Sequence, residues 1–281
     1  MRTLSICLAM VVLCAVSAKA GTLGTTVASF AVLGASTVTN TGATTITGNV
    51  GVYAGTSIIG ESTITLLGTS AYEQTNGVAQ TAQGQLNTAI TNLGNLTPTE
   101  SLTGEDLGTV STLTAGVYTF STSAELTGAL TLNAQGLSNQ TFVFLIGSTL
   151  TTASDSIVTI TNPGANDAVY WVVGSSATLG TDTAFEGNIL AVDSITVNTG
   201  ATDSCGRLLA STGAVTLDNN TISIGCGTVT GESDSGGLNG GGGAGPVATP
   251  EPTPLSLLAL GFSGIGFLRS KRRRVGSRKM A

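Results

Sequence analysis

One feature limits the fold more than any other. Pairs of Thr followed by Leu or Val recur at Thr112-Leu113, Thr131-Leu132, Thr149-Leu150, Thr178-Leu179, Thr196-Val197 and Thr216-Leu217. Successive pairs are 19, 18, 29, 18 and 20 residues apart. The long step holds the turn-rich TITNPGAND at 159–167. A period near 19 with strand-like composition predicts a solenoid, each turn made of about three short strands. Alternation agrees. Side chains of a strand point to opposite faces in turn. In SITVN, Ile195 and Val197 therefore point one way, and Ser194, Thr196 and Asn198 the other. Equivalent positions then stack about 4.8 Å apart. Any single threonine is simply a good strand residue facing water; it is the aligned column Thr131, Thr178, Thr196, Thr216 that predicts an ordered outer face. A second column at the corner of each turn reads Thr152-Ala153-Ser154, Thr181-Asp182-Thr183, Thr199-Gly200-Ala201-Thr202 and Asn219-Asn220-Thr221, and Thr41-Gly42-Ala43-Thr44 has the same form.

Charge narrows the class further. Charged residues make up 9% of the chain, against roughly a quarter in ordinary soluble domains. Between residues 21 and 268 the only basic residue is Arg207, while all sixteen acidic residues lie there, a balance of −15. Such a surface repels nucleic acid, since phosphate binding needs Lys and Arg. Self-repulsion also favours solubility.

Both ends read as addresses. MRTLSICLAMVVLCAVSAKA has a basic start, an apolar run and Ala18-Lys19-Ala20, a secretory signal with a small-x-small cleavage site. The bulky Leu13 argues against a lipoprotein reading of Cys14. The far end carries SGGLNGGGGAG at 235–245, a flexible linker. Then come Pro250-Glu251-Pro252, an apolar run from Leu255 to Leu268, and RSKRRR. That order resembles the PEP-CTERM sorting signal of Gram-negative bacteria, whose tail an exosortase removes at the cell surface. A plain C-terminal membrane anchor is the other reading. The domain organisation expected is residues 1–20 signal peptide, 21–230 β domain, 231–249 Gly-rich linker and 250–281 sorting or anchor segment.

The region from Ala71 to Leu93 departs from the strand pattern. Ala79, Ala82, Leu86, Ile90 and Leu93 follow helical spacing and predict one amphipathic helix packed along the solenoid. Cys205 and Cys226 are the two cysteines left after the signal peptide, and a disulfide is the default for such a pair in a secreted chain.

Several chemistries are excluded or disfavoured. The chain has no His, so His-based triads are impossible, and two thiols fall short of a structural zinc set. G-x-S-x-G is absent, and GGGAGPVA lies in a linker without the strand and helix a nucleotide site needs. The calcium-binding nonapeptide is missing. Glu105-Asp106 sits in a turn-like SLTGEDLG, and Arg207 alone is a poor base for a polysaccharide lyase. No metal, cofactor or enzymatic activity is expected.

Several blocks in order, among them ASFAVLGASTVTNTGATTITGNVGV (28–52), FVFLIGSTLTTAS (142–154) and GRLLASTGAVTLDNNT (206–221), resemble the microbial ice-binding family. The resemblance covers roughly residues 24–226. It implies a mostly β protein: a right-handed, discontinuous β-helix of triangular section with one long α-helix alongside. It also implies a flat Thr/Ser/Ala face with a Thr-Ala/Gly-x-Thr/Asn pattern. Thr41-Gly42-Ala43-Thr44 and Thr199-Gly200-Ala201-Thr202 match that pattern. Thr152-Ala153-Ser154-Asp155 matches it in part, and Thr181-Asp182-Thr183-Ala184 departs from it.

The candidate ice-binding residues are therefore Thr41, Thr44, Thr152, Thr178, Thr181, Thr183, Thr196, Thr199, Ala201, Thr202 and Thr216. The partners implied are an ice crystal surface, signal peptidase, an exosortase-type enzyme and extracellular polysaccharide. The membrane is met only through the C-terminal segment before processing. A structural or adhesive matrix protein on the same fold, without ice activity, is the alternative.

Overall fold

The computed structural model describes residues 22–225. The expected signal peptide, Cys226, and the expected Gly-rich linker and sorting segment lie outside the described residues. Within them, successive strands are short, and most passages of the chain add one strand to each of three parallel sheets. Sheet A has nine strands, sheet B seven and sheet C eight. The strands Ala168–Val173, Ala177–Leu179 and Ala184–Phe185 illustrate one such coil, entering A, B and C in turn.

The stacking does not follow the sequence throughout. The last coil, built from Arg207–Ala210, Val215–Leu217 and Thr221–Ser223, pairs with the first, built from Phe30–Gly34, Thr37–Asn40 and Thr44–Thr47. The coil of Asn49–Val52, Ser57–Ile59 and Ile64–Leu67 then pairs with the first coil on its other side. N- and C-terminal segments thus share one core.

Alternation fills that core. On sheet A, Tyr118, Phe144, Trp171, Ile189, Leu208, Val32 and Val50 stand in one register column. Phe144 and Trp171 stack at 4.0 Å between ring centroids with planes 8° apart. Bulky rings fill the end near Tyr118, and aliphatic side chains fill the other. The long step in the repeat is a loop between Ile157–Thr161 and Ala168–Val173. A second loop, from Ala134 to Gln140, stacks on it through Gly136 N to Asn162 O and Asn139 N to Ala165 O.

The expected helix, α1 (Gly77–Gly94), is present and begins six residues later than Ala71. Asn76 caps it, its side-chain oxygen accepting from the Val78 and Ala79 amides. Its buried face is Ala79, Ala82, Gln83, Leu86, Ala89 and Leu93; Ile90 is only partly buried. That face packs on the outer side of sheet A against Leu33, Leu190 and Leu209. No helix among the described residues is long and apolar enough to cross a membrane.

The corners between sheets B and C turn on left-handed residues. Asp155, Asp182, Gly200 and Asn219 have φ of 60°, 54°, 76° and 56°. Asp, Asn and Gly tolerate this region where most residues do not. Cys205 is buried.

Candidate functional site

Sheet A carries α1 on its outer side, so sheets B and C present the open strand faces. Sheet B is the more regular. Every one of its seven strands is three or four residues long. Sheet C mixes strands of two to five residues and exposes Leu67 and Ile157.

The outward positions at the centre of sheet B form one column. Register pairing runs Glu125, Thr151, Thr178, Thr196, Thr216, Thr39 and Ile59. Five consecutive coils therefore offer threonine, with a carboxylate only at one end and isoleucine at the other. The inward neighbours on either side, such as Ala177 and Leu179 or Ile195 and Val197, are buried. They fix which way the threonines face. A parallel row two residues upstream reads Ser57, Thr37, Ala214, Ser194, Ser176, Thr149 and Ser123. Among the described residues, no hydrogen bond engages the hydroxyls of Thr39, Thr151, Thr178, Thr196 or Thr216. These five are free to meet water.

The candidate residues from the sequence divide among four places. Thr178, Thr196 and Thr216 stand in the sheet B column. Thr41, Thr181 and Thr199 are exposed at the corner between B and C. Thr202 faces outward on sheet C, in register with Thr221, Thr45 and Thr65.

The other four are corrected by burial. Thr44, Thr152, Thr183 and Ala201 are at most 3% exposed, so none can reach an external surface. Their side chains turn inward at the corner. The Thr44 hydroxyl donates to Asn40 Oδ1 at 2.7 Å, and the Thr152 and Thr183 hydroxyls bond each other at 2.8 Å. The repeat alignment also needs correction. Thr131-Leu132 and Leu113 belong to sheet C. On sheet B it is Thr151, not Thr149, that pairs with Thr178.

Thr39 and Thr151 were missed in the sequence. The alternation in Thr37-Val38-Thr39 signals a strand, but the coil it joins is 177 residues away, at Thr216. No periodic spacing could show that.

The groups that might have carried chemistry are structural. Burial tends to raise the Asp106 pKa, but the Gly108 and Thr127 amides it accepts from hold it below the usual range. Arg207 is buried and donates to Ala28 O and Asn188 Oδ1. Among the described residues, no group of three metal-ligating side chains is placed to hold an ion.

Comparison with known proteins covers most of the described chain. A family model described as ice-binding-like matches residues 32–223. An ice-binding protein of Nostoc sp. (strain HG1) is 47% identical over 252 residues, covering 89% of this chain and 87% of that protein. The crystal structure of an ice-binding protein from the Antarctic ascomycete Antarctomyces psychrotrophicus superposes with a TM-score of 0.67 at 37% identity. It covers 72% of this chain and 98% of that one. An ice-binding protein from an Antarctic biological consortium gives 0.66 at 37% identity, covering 70% of this chain and 88% of the other.

Proposed function

The chain belongs to the ice-binding-like family, and on that footing we propose that it adsorbs to ice through the outer face of sheet B. The observation that carries this reading is the column Thr151, Thr178, Thr196, Thr216 and Thr39, in register and with unengaged hydroxyls. The body is a three-sided β-helix, right-handed as parallel crossovers are in nearly all cases.

The mechanism is physical. A stiff sheet sets threonines about 4.8 Å apart across strands, with a second row about 6.6 Å away along them. Methyl groups exclude disordered water, and hydroxyls anchor an ordered layer that joins the crystal. Each contact is weak, so regularity and area supply the affinity. Long charged side chains would hold mobile hydration and spoil the match; the column has none between Glu125 and Ile59. Adsorption of this kind inhibits ice growth and recrystallisation. No cofactor or covalent chemistry enters.

Cell-surface display fits the sequence signals at the two ends of the chain. Strand Thr221–Ser223 is the last sheet C strand in chain order and pairs on both sides, and Gly225, the last described residue, accepts a hydrogen bond from the Ser223 hydroxyl. The secretion signal, the PEP-CTERM-like segment and a Cys205–Cys226 disulfide complete this reading from the sequence. Signal peptidase, an exosortase-type enzyme and matrix polysaccharide are its partners besides ice.

Ice-affinity partitioning of the secreted protein tests the proposal. Enrichment in slowly grown ice is expected. Retention in the liquid, alongside a control protein, would instead assign the fold to an inactive matrix component.

A further inference from the structure

The sheet B column is assembled from two parts of the chain, and something must hold those parts in one register. We infer that Thr44 and Asn220 are positioning residues that align the N-terminal threonine, Thr39, with the C-terminal ones. This rests on the reading of sheet B as the ice-binding face.

The corner beside the junction is built differently from its neighbours. At the other coils a backbone amide bridges the corner: Asp155 N to Thr181 O, Asp182 N to Thr199 O, Gly200 N to Asp218 O. Among the described residues, the corresponding amide at Asn219 makes no such bond to the first coil. The backbone ladder there stops at Thr41 N to Leu217 O and resumes at Thr45 N to Asn220 O.

A buried side-chain chain fills the gap. Asn220 N donates to Thr44 Oγ1 at 3.1 Å. The Thr44 hydroxyl donates in turn to Asn40 Oδ1 at 2.7 Å. Asn40 Nδ2 donates to Thr63 Oγ1 on the next coil at 2.8 Å. On the other side, Asn220 Nδ2 donates to Asn198 O and Ala201 O, both at 2.9 Å. Asn40, Thr44 and Asn220 are no more than 4% exposed.

This polar line joins four neighbouring coils across a boundary the covalent chain does not bridge. It lies directly under the rim of sheet B. An amide and a hydroxyl have directional bonds, so they fix position along the strand in a way that apolar packing does not. Close approach adds to this. A Cβ on Gly42 would lie 2.4 Å from Asn219 N, so the two corners sit against each other with no room for a side chain.

Thr44→Val keeps the shape and removes the hydroxyl; Thr44→Ser restores it. Both are assayed on the full secreted chain for thermal hysteresis near 0 °C, with near-ultraviolet circular dichroism to show folding. Thr44→Val is expected to fall below about half the native hysteresis while folded, and Thr44→Ser to recover most of it. In a double-mutant cycle, Thr39→Tyr should lower hysteresis in the native background and add little to Thr44→Val. If Thr44→Val does not fold, Asn220→Asp, which loses the two Nδ2 donations, gives the same readout.

Folded variants with native hysteresis, and a Thr39→Tyr effect unchanged between backgrounds, would overturn the inference. Thr196→Tyr separates the two claims. If it abolishes hysteresis while Thr44→Val does not, positioning alone fails. If it too is silent, the sheet B reading fails, and the inference with it.

Discussion

At the scale of single residues, the same amino acid does opposite work depending on one step along the chain. Thr178 and Thr196 face out with free hydroxyls, while Thr152 and Thr183 face in and bond each other. A motif such as Thr-Gly-Ala-Thr cannot reveal this, because the corner residue's backbone decides which way the next side chain turns. Asp203 shows the cost of facing in. It is fully buried, and neither carboxylate oxygen has a hydrogen-bond partner of good geometry. Burial raises its pKa well above the usual value, and Glu186 adds to the rise. The Cys205 and Gly187 amides and the Arg207 charge offset only part. The folded state thus holds a proton that the unfolded chain releases near pH 4. Stability from this group is complete below that pH and falls as pH rises toward the folded pKa. Thermal unfolding at about pH 5 and pH 8 checks it. The native protein should melt lower at pH 8, and Asp203→Asn should lose much of that difference; an unchanged difference would mean the drop has another source.

At the scale of elements, the strands and the helix were legible, but their partners were not. Helical spacing located Ala79, Ala82, Leu86 and Leu93, all buried on α1. Alternation located the inward faces of Ala177–Leu179 and Ile195–Val197. Sheet membership was hidden, because a Thr-Leu pair reads the same on B and on C: Thr131-Leu132 lies on one and Thr178-Leu179 on the other. The corners obey a clearer rule. Gly200 sits at φ 76°, where a β-branched side chain is strained. Gly200→Val should cost about 1–3 kcal/mol. Asn219→Gly at the equivalent corner should be close to neutral. Urea denaturation of the two variants measures both.

At the scale of the whole molecule, the fold depends on a junction that no local pattern announces. The first coil rests on the last, and Arg207, the only cation among the described residues, sits at that junction, reaching Ala28 O with two nitrogens. Arg207→Leu would leave Ala28 O and Asn188 Oδ1 without these donors. A loss of about 3 kcal/mol is expected, from buried acceptors stripped of charged partners. Because the coils share one core, fluorescence of Trp171 and far-ultraviolet circular dichroism should shift together. Separate transitions would show that the N-terminal coils are an independent unit. The same burial of Arg207 leaves the described exterior with no positive charge, and the central column of sheet B is neutral over five coils. Whether that neutral, regular face meets ice is tested most directly by measuring thermal hysteresis of Thr196→Tyr beside Thr202→Tyr. The first substitution falls at the centre of sheet B and the second on sheet C. Both should fold; Thr196→Tyr should lose most of the hysteresis and Thr202→Tyr should keep most of it. Native hysteresis in a folded Thr196→Tyr would contradict the account.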